Sequence, residues 1–361
     1  MPILAAPRPT KRGRALPSLR SSLLLAIPLL LVLSACAGGD SEGAPQVVNV
    51  YSHRHYDTDE LLFQRFTELT GIRVNVVTAS ADELITRLER EGAASPADVL
   101  ITVDAGRLYR AAELGLLQPV TSAELQAAVP THLRDPNGLW WGLTQRARIL
   151  AYSRERVDPA TLSTYEALTE PQWAGRVLVR SSENIYNVSL MASIVAANGP
   201  EAAERWARGM VANFARAPQG GDRDQILDVA AGVGDVAIVN TYYLGQLLAD
   251  PDSAVRALAA QVGVFFPNQG DRGTHINVSG AGVTAHAPNP ENARRFIEFL
   301  VSEEAQSAFA EASFEYPVRT GIPWSSTLLE WGQFSADPLN LGVLGQRNNE
   351  AVQIFDRAGW R

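Results

Sequence analysis

The chain has 361 residues, 46% of them hydrophobic and 19% charged. That fits a soluble globular protein of about two domains, not a disordered chain. One cysteine excludes a disulfide framework, a thiolate zinc site and an iron–sulfur cluster, and a net charge of −8 argues against nucleic acid as a partner.

The first 35 residues differ from the rest. They carry Arg8, Lys11, Arg12, Arg14 and Arg20 and no acid, so the remainder stands at −13. Lys11 is the only lysine in the chain. Residues 21–34, SSLLLAIPLLLVLS, are almost wholly apolar, yet shorter than the roughly 20 residues that span a bilayer. A basic stretch before a short apolar one reads as a secretory signal. It ends in Leu33-Ser34-Ala35-Cys36, a bacterial lipobox pattern that places the only cysteine where lipid would be attached. Residues 1–35 are therefore expected to be a lipoprotein signal peptide. Residues 36–45 are small and polar and read as a lipidated, flexible tether. The expected location is the periplasm or cell envelope, with a membrane held through the N-terminal lipid.

The body alternates strand and helix. Residues 47–51 are rich in valine, and Asp57-Thr58-Asp59-Glu60 follows as a capping-box pattern before Leu62, Phe66 and Leu69 at helical spacing. Gly71 closes that helix. A second strand is expected at 72–77, then a Ser80/Glu83 capping box and a helix, then a third strand at 98–103. Further on, 176–180 and 235–240 read as strands. Stretches 188–197 and 242–248 read as helices, and 291–309 as one long amphipathic helix. This order implies a parallel sheet flanked by helices, an α/β fold. Two such units on an exported chain suggest two lobes with a ligand cleft between them, the chain crossing at 143–153 and 276–287.

In open parallel sheets, ligands bind beyond the carboxyl ends of strands. Those junctions hold His55 and Tyr56, then Tyr186, then Tyr242 and Tyr243, so four of the nine tyrosines sit at one edge. A phenol has a pKa of about 10 and is a poor ligand in water. A hard trivalent cation stabilises the phenolate, and tyrosinate is an established iron ligand. Helix N-termini at the junctions favour the same charge. Four phenolates and one imidazole make a five-coordinate ferric site without cysteine. Soft metals, zinc, calcium and magnesium fit this donor set less well. Taken alone, the Tyr-Tyr junction fits packing or a sugar-stacking surface better than a metal, and His55-Tyr56 alone is similarly weak; the conjunction of the three junctions favours a metal. No hydrolase nucleophile motif, His-Glu-x-x-His or phosphate-binding loop is present, so no enzyme activity is expected.

The segments YSHRHYDTDELL (51–62), PADVLITVDAGRLYRA (96–111), TQRARILAYS (144–153), SSENIYNVSLMAS (181–193), GDVAIVNTYYLGQL (234–247), GTHINVSGAGV (273–283) and AVQIFDRAGW (351–360) together resemble the periplasmic ferric-ion-binding proteins of ABC importers, the bacterial transferrins. The resemblance is to the subgroup with one histidine and several tyrosines. It implies a type II periplasmic-binding fold, with a first lobe of 46–143 and 277–325 and a second of 144–276 and 326–361. It implies His55, Tyr56, Tyr186, Tyr242 and Tyr243 as ligands of transported Fe³⁺, and Arg146 as a nearby cation offsetting excess phenolate charge. It implies a monomer working with an ABC permease and its ATPase. Relatives with an acidic ligand and an external anion carry glutamate where this chain has Val103, so no obligatory synergistic anion is expected. Asp104-Ala105-Gly106 is expected to cap a helix. His53 is left as a spare ligand or an exposed side chain, His275 as structural, and His132 and His286 as surface residues. The alternative cargo for the same fold is a small organic cation such as a polyamine or thiamine.

Overall fold

In the computed structural model, residues 46–54 and 56–361 are described. The expected signal peptide, Cys36, the tether and His55 lie outside the described residues. Among the described residues nine strands form the scaffold: β1 Val47–Ser52, β2 Arg73–Thr78, β3 Val99–Val103, β4 Trp141–Ser153, β5 Val177–Leu178, β6 Val236–Asn240, β7 Val262–Phe265, β8 Ile276–Val283 and β9 Tyr316–Pro317. The first three are parallel, as the strand–helix alternation requires. They run in the order β2-β1-β3, and β8 joins β3 antiparallel.

β4 connects everything else. Its first half, from Trp141 to Ala147, pairs with β8, while Arg148 to Tyr152 pair with β6 and Leu150 to Ser153 with β7. A single strand thus runs from one group of strands into the other. All of it is buried except Gln145, which is partly covered. The close approach of β8 depends on glycine: a Cβ on Gly280 would stand 2.7 Å from the Trp141 carbonyl oxygen, and one on Gly282 2.6 Å from that of Leu139.

Helices bury apolar faces on these strands. Phe63 and Phe66 of the helix Asp57–Thr70 meet Phe296 edge-on at 5.1 Å. At the far end, Trp360 packs against Trp206, Phe214 and Phe355, and its indole N–H donates to the Arg180 carbonyl at 3.2 Å. The C-terminal residues are thereby fixed beside the loop that leads to Tyr186.

Several boundaries differ from expectation. The first helix is capped by Tyr56 itself, whose backbone N–H donates to Asp59 Oδ2 at 3.4 Å, so the cap lies before the Asp57–Glu60 pattern. The expected helix 291–309 is two helices, Pro290–Leu300 and Glu303–Ala312, because Ser302 interrupts and caps the second by accepting from Ala305 N–H. The expected strand 176–180 shrinks to Val177–Leu178. The expected helix 188–197 begins earlier, at Ile185, where Asn184 Oδ1 accepts from Tyr186 N–H at 3.0 Å. The Ser80/Glu83 capping box and the Gly71 closure form as expected.

His275 lies buried just before β8, its carbonyl accepting from Arg148 N–H. Burial, reinforced by Arg148, Arg146 and Arg272, holds its imidazole neutral down to about pH 3. An unfolded imidazole takes its proton near pH 6.5. The unfolded state therefore binds the extra proton between those values, and stability falls as pH drops through that window, by up to about 1.4 kcal/mol per pH unit. Urea unfolding of His275→Gln across the window is expected to show a shallower decline than the parent chain.

Candidate functional site

Each tyrosine singled out in the sequence sits at the start of a helix. Tyr56 is the N-cap of Asp57–Thr70, Tyr186 the second residue of Ile185–Asn198, and Tyr242 and Tyr243 the second and third of Thr241–Leu248. β1 ends at Ser52, shortly before the first of these helices, and β6 ends directly before the last, so the phenols converge beyond their carboxyl ends. All four tyrosines line one cavity of about 280 Å³. His53, Arg54, Val103 and Gln246 complete its wall.

Within that cavity the Tyr186 and Tyr242 hydroxyl oxygens stand 3.2 Å apart, and the Tyr242 and Tyr243 rings lie 4.2 Å apart at 32°. Burial pushes the Tyr242, Tyr56 and Tyr243 phenols well above the ordinary tyrosine value. Neighbouring phenols raise each of them further: Tyr186, Tyr56 and Tyr243 act on Tyr242, and Tyr186 and Tyr243 act on Tyr56. Without a cation Tyr242, Tyr56 and Tyr243 are held as neutral phenols.

Guanidinium groups surround this cluster from below. Those of Arg146, Arg180 and Arg148 lie 5.3, 5.6 and 5.8 Å from the centre of the Tyr186 ring. Arg146 is buried, and none of its three guanidinium nitrogens has a hydrogen-bond partner among the described residues. Its ion-pair contact is Asp104, at 3.9 Å. Burial works to discharge Arg146, but Tyr186 and Tyr242, with Asp104 and Glu315, outweigh it and raise its pKa.

Residues that the sequence did not flag hold the tyrosines in place. Arg148 donates to Asp222 Oδ2 at 2.5 Å, to Asn187 Oδ1 at 2.8 Å and to Asn240 Oδ1 at 3.2 Å. Asp222, wholly buried, also accepts from the Asn240 backbone N–H at 2.8 Å and from Arg180 at 3.2 Å. One ion pair thus fixes the first turns of both helices that carry Tyr186, Tyr242 and Tyr243. Arg54, also buried, pairs with Asp59 at 3.0 Å and Glu315 at 3.3 Å and lies 4.9 Å from the Tyr56 ring centre. The signal available beforehand was the Arg146/Arg148 spacing: two charges two apart on a buried strand share a face.

The remaining histidines and acids sort out by burial. His53 is partly buried at the cavity wall, its backbone N–H on the Ile101 carbonyl. His286 is exposed, as expected, whereas His132 is partly buried, which lowers its pKa. Asp104 caps the helix Ala105–Glu113 through Gly106 N–H at 2.9 Å, also as expected, while Val103 faces the cavity. Among the described residues, no three His, Cys, Asp or Glu side chains gather where they could hold a metal. Among them also, no helix is long and apolar enough to cross a membrane.

This two-sided α/β architecture around a polar cleft is that of a solute-binding protein. Residues 94–335 match the family described as bacterial extracellular solute-binding protein, and the chain belongs to it. Its relatives include iron-uptake and ferric-binding proteins and, at 25% identity, a putative 2-aminoethylphosphonate-binding periplasmic protein of Salmonella typhi; these are transport proteins and not enzymes. The iron uptake protein A1 of Synechocystis is 52% identical over 322 residues, 89% of each chain. A Trichodesmium protein solved in complex with iron and citrate ligands is 50% identical, covers 87% of this chain and 100% of its own, and superposes with a TM-score of 0.85. The ferric binding protein of Campylobacter jejuni is 40% identical with a TM-score of 0.83, over 87% of this chain and 100% of its own.

Removing one member of a buried ion pair leaves the other charge uncompensated. Arg146→Met, which strands the buried Asp104 carboxylate, is therefore expected to destabilise the ligand-free protein, by up to about 3–5 kcal/mol in urea unfolding.

Proposed function

We propose that this chain is the substrate-binding component of an ABC importer that captures ferric iron in the tyrosine-lined cleft and delivers it to a membrane permease. The observation that carries this reading is the cavity itself, with the Tyr56, Tyr186, Tyr242 and Tyr243 phenols on its wall and the buried Arg146 guanidinium against the Tyr186 ring. His55 is the fifth proposed ligand. Ferric iron replaces the four phenolic protons, and Arg146 takes up the excess negative charge of four phenolates around one trivalent ion. The names and iron-bound structure of the relatives support the same cargo.

The proposed lobes are 46–143 with 277–325, and 144–276 with 326–361. Tyr186, Tyr242 and Tyr243 then belong to one lobe and His55 and Tyr56 to the other. Iron bonded to both favours the closed form by differential binding, and the permease reads that shape. Cys36 is the proposed lipid attachment site, which holds the chain to a membrane outside the cytoplasm. The protein acts as a monomer.

Iron-loaded protein is expected to be coloured by tyrosinate-to-iron charge transfer, and Tyr242→Phe with Tyr243→Phe to lose both colour and affinity. Absence of the band, or stabilisation of the metal-free protein by a polyamine or thiamine but not by iron, contradicts the reading. Each phenol that binds iron gives up one proton, so loading from ferric citrate is expected to release about four protons per iron once the proton taken back by the freed citrate hydroxyl is allowed for. Affinity therefore falls as pH falls. Calorimetry in two buffers of different ionisation enthalpy measures the count, and a count near zero excludes phenolate ligation.

A further inference from the structure

Asp104 combines two observations that helix capping does not explain. Its backbone lies at φ 83°, ψ 122°, far from the conformations that side-chain-bearing residues adopt at low energy. Its side chain is wholly buried. A single cap bond is available to a serine or an asparagine in relaxed geometry, so strain held at this position points to a further role.

The carboxylate meets four parts of the chain. Oδ1 accepts from Gly106 N–H at 2.9 Å and from Ser189 Oγ at 2.7 Å. Oδ2 accepts from Asn277 Nδ2 at 2.8 Å and stands 3.9 Å from Arg146. Ser189 lies one turn beyond Tyr186 on the same helix. Asn277 faces Arg146 directly across the β4–β8 register. Its amide cannot flip without loss, because Oδ1 already accepts from Ala105 N–H at 2.9 Å and Val278 N–H at 2.8 Å. The Asp104 backbone N–H completes the junction by donating to the Val278 carbonyl at 2.9 Å. One carboxylate therefore ties the end of β3, strand β8, the free guanidinium of Arg146 and the helix of Tyr186 at the place where β4 passes between strand groups.

We propose that Asp104 is a positioning residue for the iron site: it holds the Arg146 guanidinium beneath Tyr186 and fixes the Tyr186 helix to β8 across the crossing strands. Arg146 has no hydrogen bond among the described residues to define its direction, so the adjacent carboxylate supplies it. The Ser189 bond sets where Tyr186 stands relative to that charge. This inference rests on the ferric reading of the cleft.

The test compares full chains loaded from ferric citrate, reading the tyrosinate charge-transfer band, iron affinity by citrate competition, and thermal midpoint. Asp104→Asn tolerates the positive φ and keeps the cap acceptor, but it sets an amide against the Asn277 amide and removes the charge beside Arg146. A loss of about 10–100-fold in affinity with a shifted band is expected. Asp104→Asn combined with Asn277→Asp restores the hydrogen bond and returns a carboxylate opposite Arg146. It is expected to recover the band position and most of the affinity. Ser189→Ala removes only the tie to the Tyr186 helix and is expected to give an intermediate loss.

Asp104→Asn that binds iron like the parent overturns the proposal. So does a double variant that folds with the parent's midpoint yet stays as weak as the single one. If Asp104→Asn does not fold, Ser189→Ala decides: unchanged affinity and band overturn the proposal. A parent chain that itself shows no band fails the ferric reading instead, so the two failures are distinguishable.

Discussion

The dependence of a buried phenol on a nearby positive charge governs this structure. Tyr242 is almost wholly buried, and burial makes its ionisation unfavourable. Placing several phenols together makes matters worse, since each phenolate would repel the next. Burial thus favours the neutral form, and a cation strong enough to displace the protons reverses that preference. In the proposed reading that cation is ferric iron, and the guanidinium groups near Tyr186 offset the remaining negative charge.

The surrounding architecture follows from holding that cluster in register. β4 gives both Arg146 and Arg148 to one face, and the Asp222–Arg148 pair binds the first turns of the two tyrosine-bearing helices. A second buried pair, Arg54 with Asp59 and Glu315, supports Tyr56 from the other group of strands. Buried pairs of this kind contribute little net stability compared with apolar packing. Their value here is geometric: donors fixed at both ends limit where each phenol can stand. Arg146 differs from these: its guanidinium makes no hydrogen bond among the described residues, and its contacts are the Asp104 carboxylate at 3.9 Å and the ring of Tyr186.

Much of this was legible in the sequence. The alternation of valine-rich runs with capped amphipathic stretches gave the parallel β1, β2 and β3, and tyrosines at three strand-to-helix junctions gave the lining of one cavity. The hidden parts share a physical reason: they depend on contacts remote in sequence. Asp222 lies 74 residues from Arg148, and Glu315 meets Thr144 across 171; no local pattern reveals either. The break at Ser302 was hidden differently, because apolar periodicity runs through it and only the cap divides the helices. Tyr56 as its own helix cap was missed because tyrosine has no capping propensity.

The claim that phenols from separate strand–helix junctions bind one trivalent ion is tested most directly by anomalous diffraction from crystals of the iron-loaded chain. The expected result is a single iron peak within bonding distance of the hydroxyl oxygens of Tyr56, Tyr186, Tyr242 and Tyr243, with the Arg146 guanidinium behind them. An iron peak elsewhere, or one bonded to none of these oxygens, contradicts the account.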